Sequence, residues 1–117
     1  MIEDWKDLID NMNGGVKTLR QATPEVMKSF SDMARAAHGG SALDAKSKEL
    51  IALAIGVAIR CQPCIAYHTE GAVKAGASRE EIGETLAMAV YMGAGPSVMY
   101  AAHALEAFDQ LAAEAPG

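Results

Sequence analysis

Apolar residues recur along this chain at helical spacing, and glycine, proline and capping residues cut them into segments. Trp5, Leu8, Ile9 and Met12 share one face of a helix that Asn13-Gly14-Gly15 is expected to stop. Thr23-Pro24-Glu25 supplies an N-cap followed by proline at the first helical position, and the helix it opens runs to His38-Gly39-Gly40. Asp44 caps a third helix, which carries the longest apolar run, Leu50 to Ile59. Apolar on all sides, that helix belongs at the centre of the fold. Cys61-Gln62-Pro63-Cys64 begins a fourth, because Pro63 suits a first turn and is costly in a helix interior. Ala75-Gly76 ends it. Ser78-Arg79-Glu80-Glu81 is a capping box for the next helix, which Gly93-Ala94-Gly95-Pro96 breaks, and a last helix runs from about Ser97 to Leu111. No stretch alternates like a strand between turn signals. The pattern predicts an all-α fold, a compact bundle of five to six helices with the C-x-x-C pair at the N-terminus of a central helix, in a single domain over residues 1–117.

Composition changes this picture in one respect. Half of the 117 residues are apolar, yet a chain this size buries only about two thirds of the surface its unfolded form exposes. The aliphatic excess predicts an oligomer. The net charge of −5, with no basic run, argues against nucleic acid and anionic membrane as partners. The Leu50–Ile59 run falls short of the roughly 20 residues a membrane span needs. Met1 to Lys6 lacks the basic and apolar regions of a secretory signal, so a cytoplasmic location is expected. Two cysteines in such a chain are not expected to be a stability framework.

Their spacing points to chemistry. Cys61, Cys64 and His68 stand at i, i+3 and i+7, one stripe on a helix. The two thiols can close a disulfide with little movement, and Cys64 and His68 are within reach of a thiol–imidazole hydrogen bond. The helix N-terminus and His68 both favour the thiolate, which is the reactive form. A carboxylate orienting the imidazole completes a nucleophile–base–orienter set, and Glu49 is the best-placed candidate. Glu49, Ala52 and Gly56 form a stripe of small residues ending in that carboxylate. A glycine inside a helix, which costs about 1 kcal/mol relative to alanine, implies close approach of the cysteine-bearing helix. If the two helices turn back near Arg60, Glu49 is offset from His68 by on the order of 6 Å, a span for a glutamate plus one water. A zinc site built on Cys61, Cys64 and His68 is the competing reading of the same residues. His38 is read as a partner of a helix C-terminus, and His103 as packing or interface. Met88, Met92 and Met99 are read as core or subunit contact, and Tyr91 and Tyr100 as half-buried at an interface.

Glu49, eleven intervening residues, and then Cys61-x-x-Cys64-x-x-x-His68 resemble the signature of the AhpD-like alkylhydroperoxidases, within the wider carboxymuconolactone decarboxylase family. Lys48–Ala54, His68–Ala77 and Glu80–Glu84 resemble it too, and the match covers roughly residues 25 to 110. The resemblance implies an AhpD-like helical fold assembled as a homotrimer or homohexamer. It implies a peroxidase, an oxidoreductase that reduces a hydroperoxide substrate and is regenerated by a dithiol or lipoyl-type reductant, with no metal or organic cofactor. In the family's pattern Cys64 is the attacking thiolate, Cys61 the resolving thiol, and His68 and Glu49 the proton relay. Spacing alone favours Cys61 as attacker, since it stands nearest the helix N-terminus, whereas the neighbouring His68 favours Cys64. The best-known members carry histidine directly before the second cysteine, where this chain has Pro63, so its peroxidase rate or its protein partner is expected to differ. The decarboxylase branch generally lacks the cysteine pair, which argues against lactone decarboxylation here. A protein-disulfide electron carrier with little peroxidase activity, and a metal-binding or structural oligomeric module, are the alternatives.

Overall fold

The computed structural model describes residues 1–115; the last two residues of the expected single domain, 116 and 117, lie outside the described residues. Five helices follow in order: α1 (Trp5–Ala22), α2 (Pro24–His38), α3 (Ala45–Ala58), α4 (Gln62–Lys74) and α5 (Arg79–Glu114). There is no strand among the described residues. α3, α4 and α5 pack on one another, and α1 lies across α4 and α5. Between them they bury Trp5, Leu53, Val57, Ile65, Ile82 and Phe108. Among the described residues no helix is long and apolar enough to cross a membrane.

The helix ends follow local chemistry. Asp44 accepts from the Ser47 N–H at 2.7 Å and starts α3. Ser78 and Glu81 form the expected reciprocal capping box at the start of α5. Lys46 ties the beginning of α3 to that cap through Glu81 at 2.9 Å, and this bond is the main cause holding the Glu81 carboxyl below its ordinary range. The ends of α3 and α4 are both Schellman motifs. In α3, Arg60 N–H donates to Val57 O and Cys61 N–H to Gly56 O, with Arg60 at φ 60°. In α4, Gly76 N–H donates to Val73 O and Ala77 N–H to Ala72 O, with Gly76 at φ 86°. Cys61 therefore closes one helix with its backbone and opens the next.

Two expectations need correction. α1 does not stop at Asn13-Gly14-Gly15 but runs on to Ala22. Val16 and Leu19 continue the apolar stripe beyond the glycines, and Tyr67 donates its hydroxyl to Asn13, so tertiary contacts outweigh the propensity cost. The central helix is not buried all round. Leu53, Gly56 and Val57 face inward, but Ile51, Ile55 and Ile59 are 47, 54 and 64% exposed, because α4 and α5 cover only part of its circumference. Met88, Met92 and Met99 are exposed on a single chain, which leaves subunit contact of their two expected roles, and Tyr91 is 79% exposed on that chain. Tyr100 is half-buried within its own chain.

The N-terminal segment is strapped to α5 by Glu106, which accepts from the backbone N–H groups of Ile2 and Glu3 and from the Trp5 indole. Those donors hold its carboxyl below the ordinary range. The Gly93–Pro96 break appears as a kink inside α5. Ala94 there takes φ 53° and ψ −139°, and Gly93 comes so near Ser97 that an added Cβ would lie 1.9 Å from Oγ.

Ala94 sits in a backbone region that costs a non-glycine residue about 1–3 kcal/mol, against about 0.5–1 kcal/mol of extra chain entropy lost by glycine. Ala94→Gly is therefore expected to raise the unfolding free energy by about 1 kcal/mol. Urea denaturation checks this, and a lowered midpoint at unchanged slope would contradict it.

Candidate redox site at the head of α4

Cys61 is the N-cap of α4, and its sulfur accepts from the Cys64 N–H at 3.2 Å. Pro63 in the first turn gives up an N–H that has no partner within the helix in any case. The two cysteines are joined as a disulfide, with Cα atoms 5.2 Å apart, and both are half-buried. The pair can be reached by a reagent while resting on the buried Ile65 and Ala66 behind it.

His68 lies one turn further along α4, its Nδ1 at 2.9 Å from Oε2 of Glu49. Facing a carboxylate, Nδ1 carries the hydrogen, which leaves Nε2 as the ring nitrogen able to take up a proton. The contact is direct, with no need of the bridging water expected from the sequence. Its origin is the register of α3 on α4. A Cβ on Gly56 would lie 3.3 Å from the Cys64 Cβ, and one on Gly71 would lie 2.5 Å from Oε2 of Glu49. The two helices therefore meet at a glycine near each end of their contact, and the Glu49 carboxylate occupies the space that Gly71 leaves. The structure brings Glu49 and His68 together and puts Cys61 and Cys64 on the same helix face one turn away.

Three neighbours escaped the sequence reading. Gly71 was visible as a mid-helix glycine, but nothing in the sequence said what fills its place. His38 does face its own helix end, with Nδ1 at 2.8 Å from the Ala34 carbonyl, as expected. Its Nε2 also reaches to 3.4 Å from Oε1 of Glu49, so the carboxylate lies between two imidazoles. His103 is packed between Trp5 and Tyr100, with ring centroids at 6.0 and 5.6 Å, and its Nδ1 lies 2.9 Å from Oε1 of Gln62 inside the C-x-x-C motif. Packing was expected of His103, but the link to Gln62 was not, since no spacing rule relates residues 62 and 103. Tyr67, beside His68, has its phenol pushed up by burial and secondarily by the Glu70 charge. Among the described residues no three or more His, Cys, Asp and Glu side chains are arranged to hold a metal ion.

Comparison with known proteins extends these observations. Residues 24–107 match the sequence model of the carboxymuconolactone decarboxylase family. An uncharacterised protein of Cupriavidus necator is 40% identical over 111 residues, covering 95% of this chain and 98% of its own. One from Haemophilus influenzae is 41% identical over 108 residues, covering 92% and 96%. The crystal structure of an apo protein of that family from Legionella pneumophila superimposes with a TM-score of 0.89 at 48% identity, over 92% of this chain and 96% of its own. A family protein from Thermotoga maritima, for which a part in an antioxidative response has been suggested, gives 0.70 at 31% identity, over 82% and 87%.

The Gly71 geometry can be tested directly. Alanine at this position raises helix propensity by about 1 kcal/mol, but its methyl group would meet the far end of a flexible side chain, the Glu49 carboxylate. Gly71→Ala is expected to keep the fold and its melting temperature while driving Glu49 off His68. Its reduced thiols should react with iodoacetamide at neutral pH about tenfold or more slowly, the scale on which a lost general base or its orienter is felt. A variant with unchanged thiol reactivity would show that the Glu49–His68 contact does not govern the cysteines.

Proposed function

The chain belongs to the carboxymuconolactone decarboxylase family, and on that basis we propose that it is a thiol-dependent peroxidase that reduces hydroperoxides through the Cys61–Cys64 pair. The observation that carries this reading is the disulfide at the N-terminus of α4, with the Glu49–His68 hydrogen bond one turn below it. A disulfide between i and i+3 in a first turn that is only half-buried is accessible to exchange. A histidine with its proton fixed on Nδ1 by a carboxylate is set to accept one on Nε2.

In the proposed cycle His68, oriented by Glu49, takes the proton of Cys64. The thiolate attacks the terminal oxygen of a hydroperoxide, the O–O bond breaks, and the alcohol leaves with the proton while Cys64 becomes a sulfenic acid. Cys61 condenses with it, forming the Cys61–Cys64 disulfide and releasing water. An external dithiol or lipoyl-type reductant then exchanges with the disulfide, is itself oxidised to a disulfide, and returns both thiols. No metal or organic cofactor enters these steps, and a reducing compartment such as the cytoplasm would supply the dithiol. The Cys64 N–H that reaches the Cys61 sulfur favours charge on Cys61 as well, so the order of attack is part of what has to be tested.

We also propose that the chain works as a homotrimer or homohexamer. What supports this is the apolar surface a single chain leaves uncovered: Val26, Phe30 and Met33 on α2, Ile51 and Ile55 on α3 with Ile59 just after it, and Met92 and Met99 on α5. Light scattering at micromolar concentration should return three or six times the 12.3 kDa of one chain, and a clean monomer mass would refute the assembly.

Mass spectrometry tests the chemistry. Reduced protein given one equivalent of cumene hydroperoxide should lose two hydrogens' mass within minutes, forming the intramolecular disulfide. Cys61→Ser should trap a sulfenic acid on Cys64, whereas Cys64→Ser should be inert. A sulfenic acid trapped in Cys64→Ser would reverse the two roles. Thiols that stay unreacted, and resist alkylation until a chelator is added, would replace the redox reading with a metal site. Rapid exchange with a protein disulfide combined with slow peroxide reduction would favour an electron carrier.

A further inference from the structure

The carboxylate that pairs with His68 also meets a third residue. Glu49 is only 17% exposed, and its two carboxylate oxygens are divided between two rings: Oε2 to His68 Nδ1 at 2.9 Å and Oε1 to His38 Nε2 at 3.4 Å. Gly71 makes room for this carboxylate but has no side chain with which to bond it. His38 arrives from a different helix, and its ring is fixed before it reaches Glu49. Nδ1 faces the Ala34 carbonyl at 2.8 Å and must donate to it, so the opposite edge of the ring is aimed at Oε1. Because Nδ1 already carries a hydrogen, the contact with Glu49 is an ion pair when Nε2 is protonated too.

The backbone around His38 is tied to the same place. Lys48, the residue before Glu49, donates through its ammonium to the carbonyls of His38 and Gly40. These ties matter because α2 has no buried residue of its own, so the burial that fixes α3 and α4 does not fix the position of its C-terminal end.

We propose that His38 is a positioning residue for the redox site: from the end of α2 it holds Oε1 of Glu49, and so keeps Oε2 facing His68 and the His68 proton on Nδ1. This rests on the reading of Cys61 and Cys64 as a redox pair only for its kinetic consequence. The state of the His68 ring can be read without turnover.

The test compares three variants with the parent protein. His38→Gln presents an amide N–H close to where Nε2 stands and can still reach Oε1. His38→Asn can satisfy the Ala34 carbonyl but falls short of Glu49, and His38→Ala does neither. Imidazole ¹⁵N shifts of the oxidised protein report the His68 tautomer, and cumene hydroperoxide consumption by the reduced protein reports the thiol. The parent and His38→Gln are expected to show the His68 proton on Nδ1 and equal rates. His38→Asn and His38→Ala should show mixed tautomers and rates about tenfold lower, the scale of one lost hydrogen bond to a charged group. An unchanged tautomer in all three variants would overturn the proposal. So would the opposite order, with His38→Asn like the parent and His38→Gln like His38→Ala, since the helix end would then matter rather than the carboxylate. If the parent itself fails to reduce the hydroperoxide, the redox reading falls, and the ring shifts alone decide whether His38 positions Glu49.

Discussion

Everything at this site depends on how closely α3 and α4 approach. Two glycines set the distance: Gly56 on α3 lies against the Cys64 Cβ, and Gly71 on α4 lies against the carboxylate of Glu49. Each glycine admits a functional side chain from the other helix, so the register that packs the hairpin also pairs Glu49 with His68. A helix–helix contact of this kind resists adjustment, because interiors are close-packed and a side chain added at either glycine must displace something. The Schellman turn at Arg60 fixes the same register from the loop end, by tying Cys61 back to Gly56. Hairpin geometry and proton geometry are thus one constraint.

Much of this was legible in the sequence because it is local. The caps at Asp44 and Ser78, the helix start at Cys61–Cys64, the end at Gly76, the break at Gly93–Pro96, and the i, i+3, i+7 stripe of Cys61, Cys64 and His68 all follow from short-range rules. Helix rise alone put Glu49 about one turn from the point opposite His68, and the error of one bridging water came from the unknown depth to which Gly71 lets the carboxylate sink. The stop expected at Gly14-Gly15 failed because propensity was weighed without Val16 and Leu19, which carry the apolar stripe past the glycines, and without Tyr67, which reaches Asn13 from α4. His38 and His103 were underread for a different reason. Their contacts with Glu49 and Gln62 join separate helices, and no periodicity in the chain encodes which histidine reaches which partner.

The molecule also divides unevenly between hairpin and surroundings. Glu49, Cys61, Cys64 and His68 all belong to α3 and α4, a stretch in which neighbouring residues along the chain do most of the positioning. The surrounding helices supply fine contacts: α2 through His38, α5 through His103, and the N-terminal strap through Trp5 packed on His103. The position before the second cysteine is Pro63, and an imidazole meets the motif from α5 by way of Gln62. The apolar excess of the composition lies largely on α2 and on the outward edges of α3 and α5, away from the inner face of the hairpin.

The span of the Cys61–Cys64 bond has a thermodynamic consequence. It joins residues only three apart, inside a helical turn that the Cys61 cap and the α3 turn already hold. A cross-link stabilises chiefly by restricting the unfolded chain, and a loop this short removes at most about 2 kcal/mol worth of freedom, less than a long-range bridge would. The architecture therefore owes little of its stability to the bond. It can be opened and closed repeatedly without the helices around it having to melt and reform.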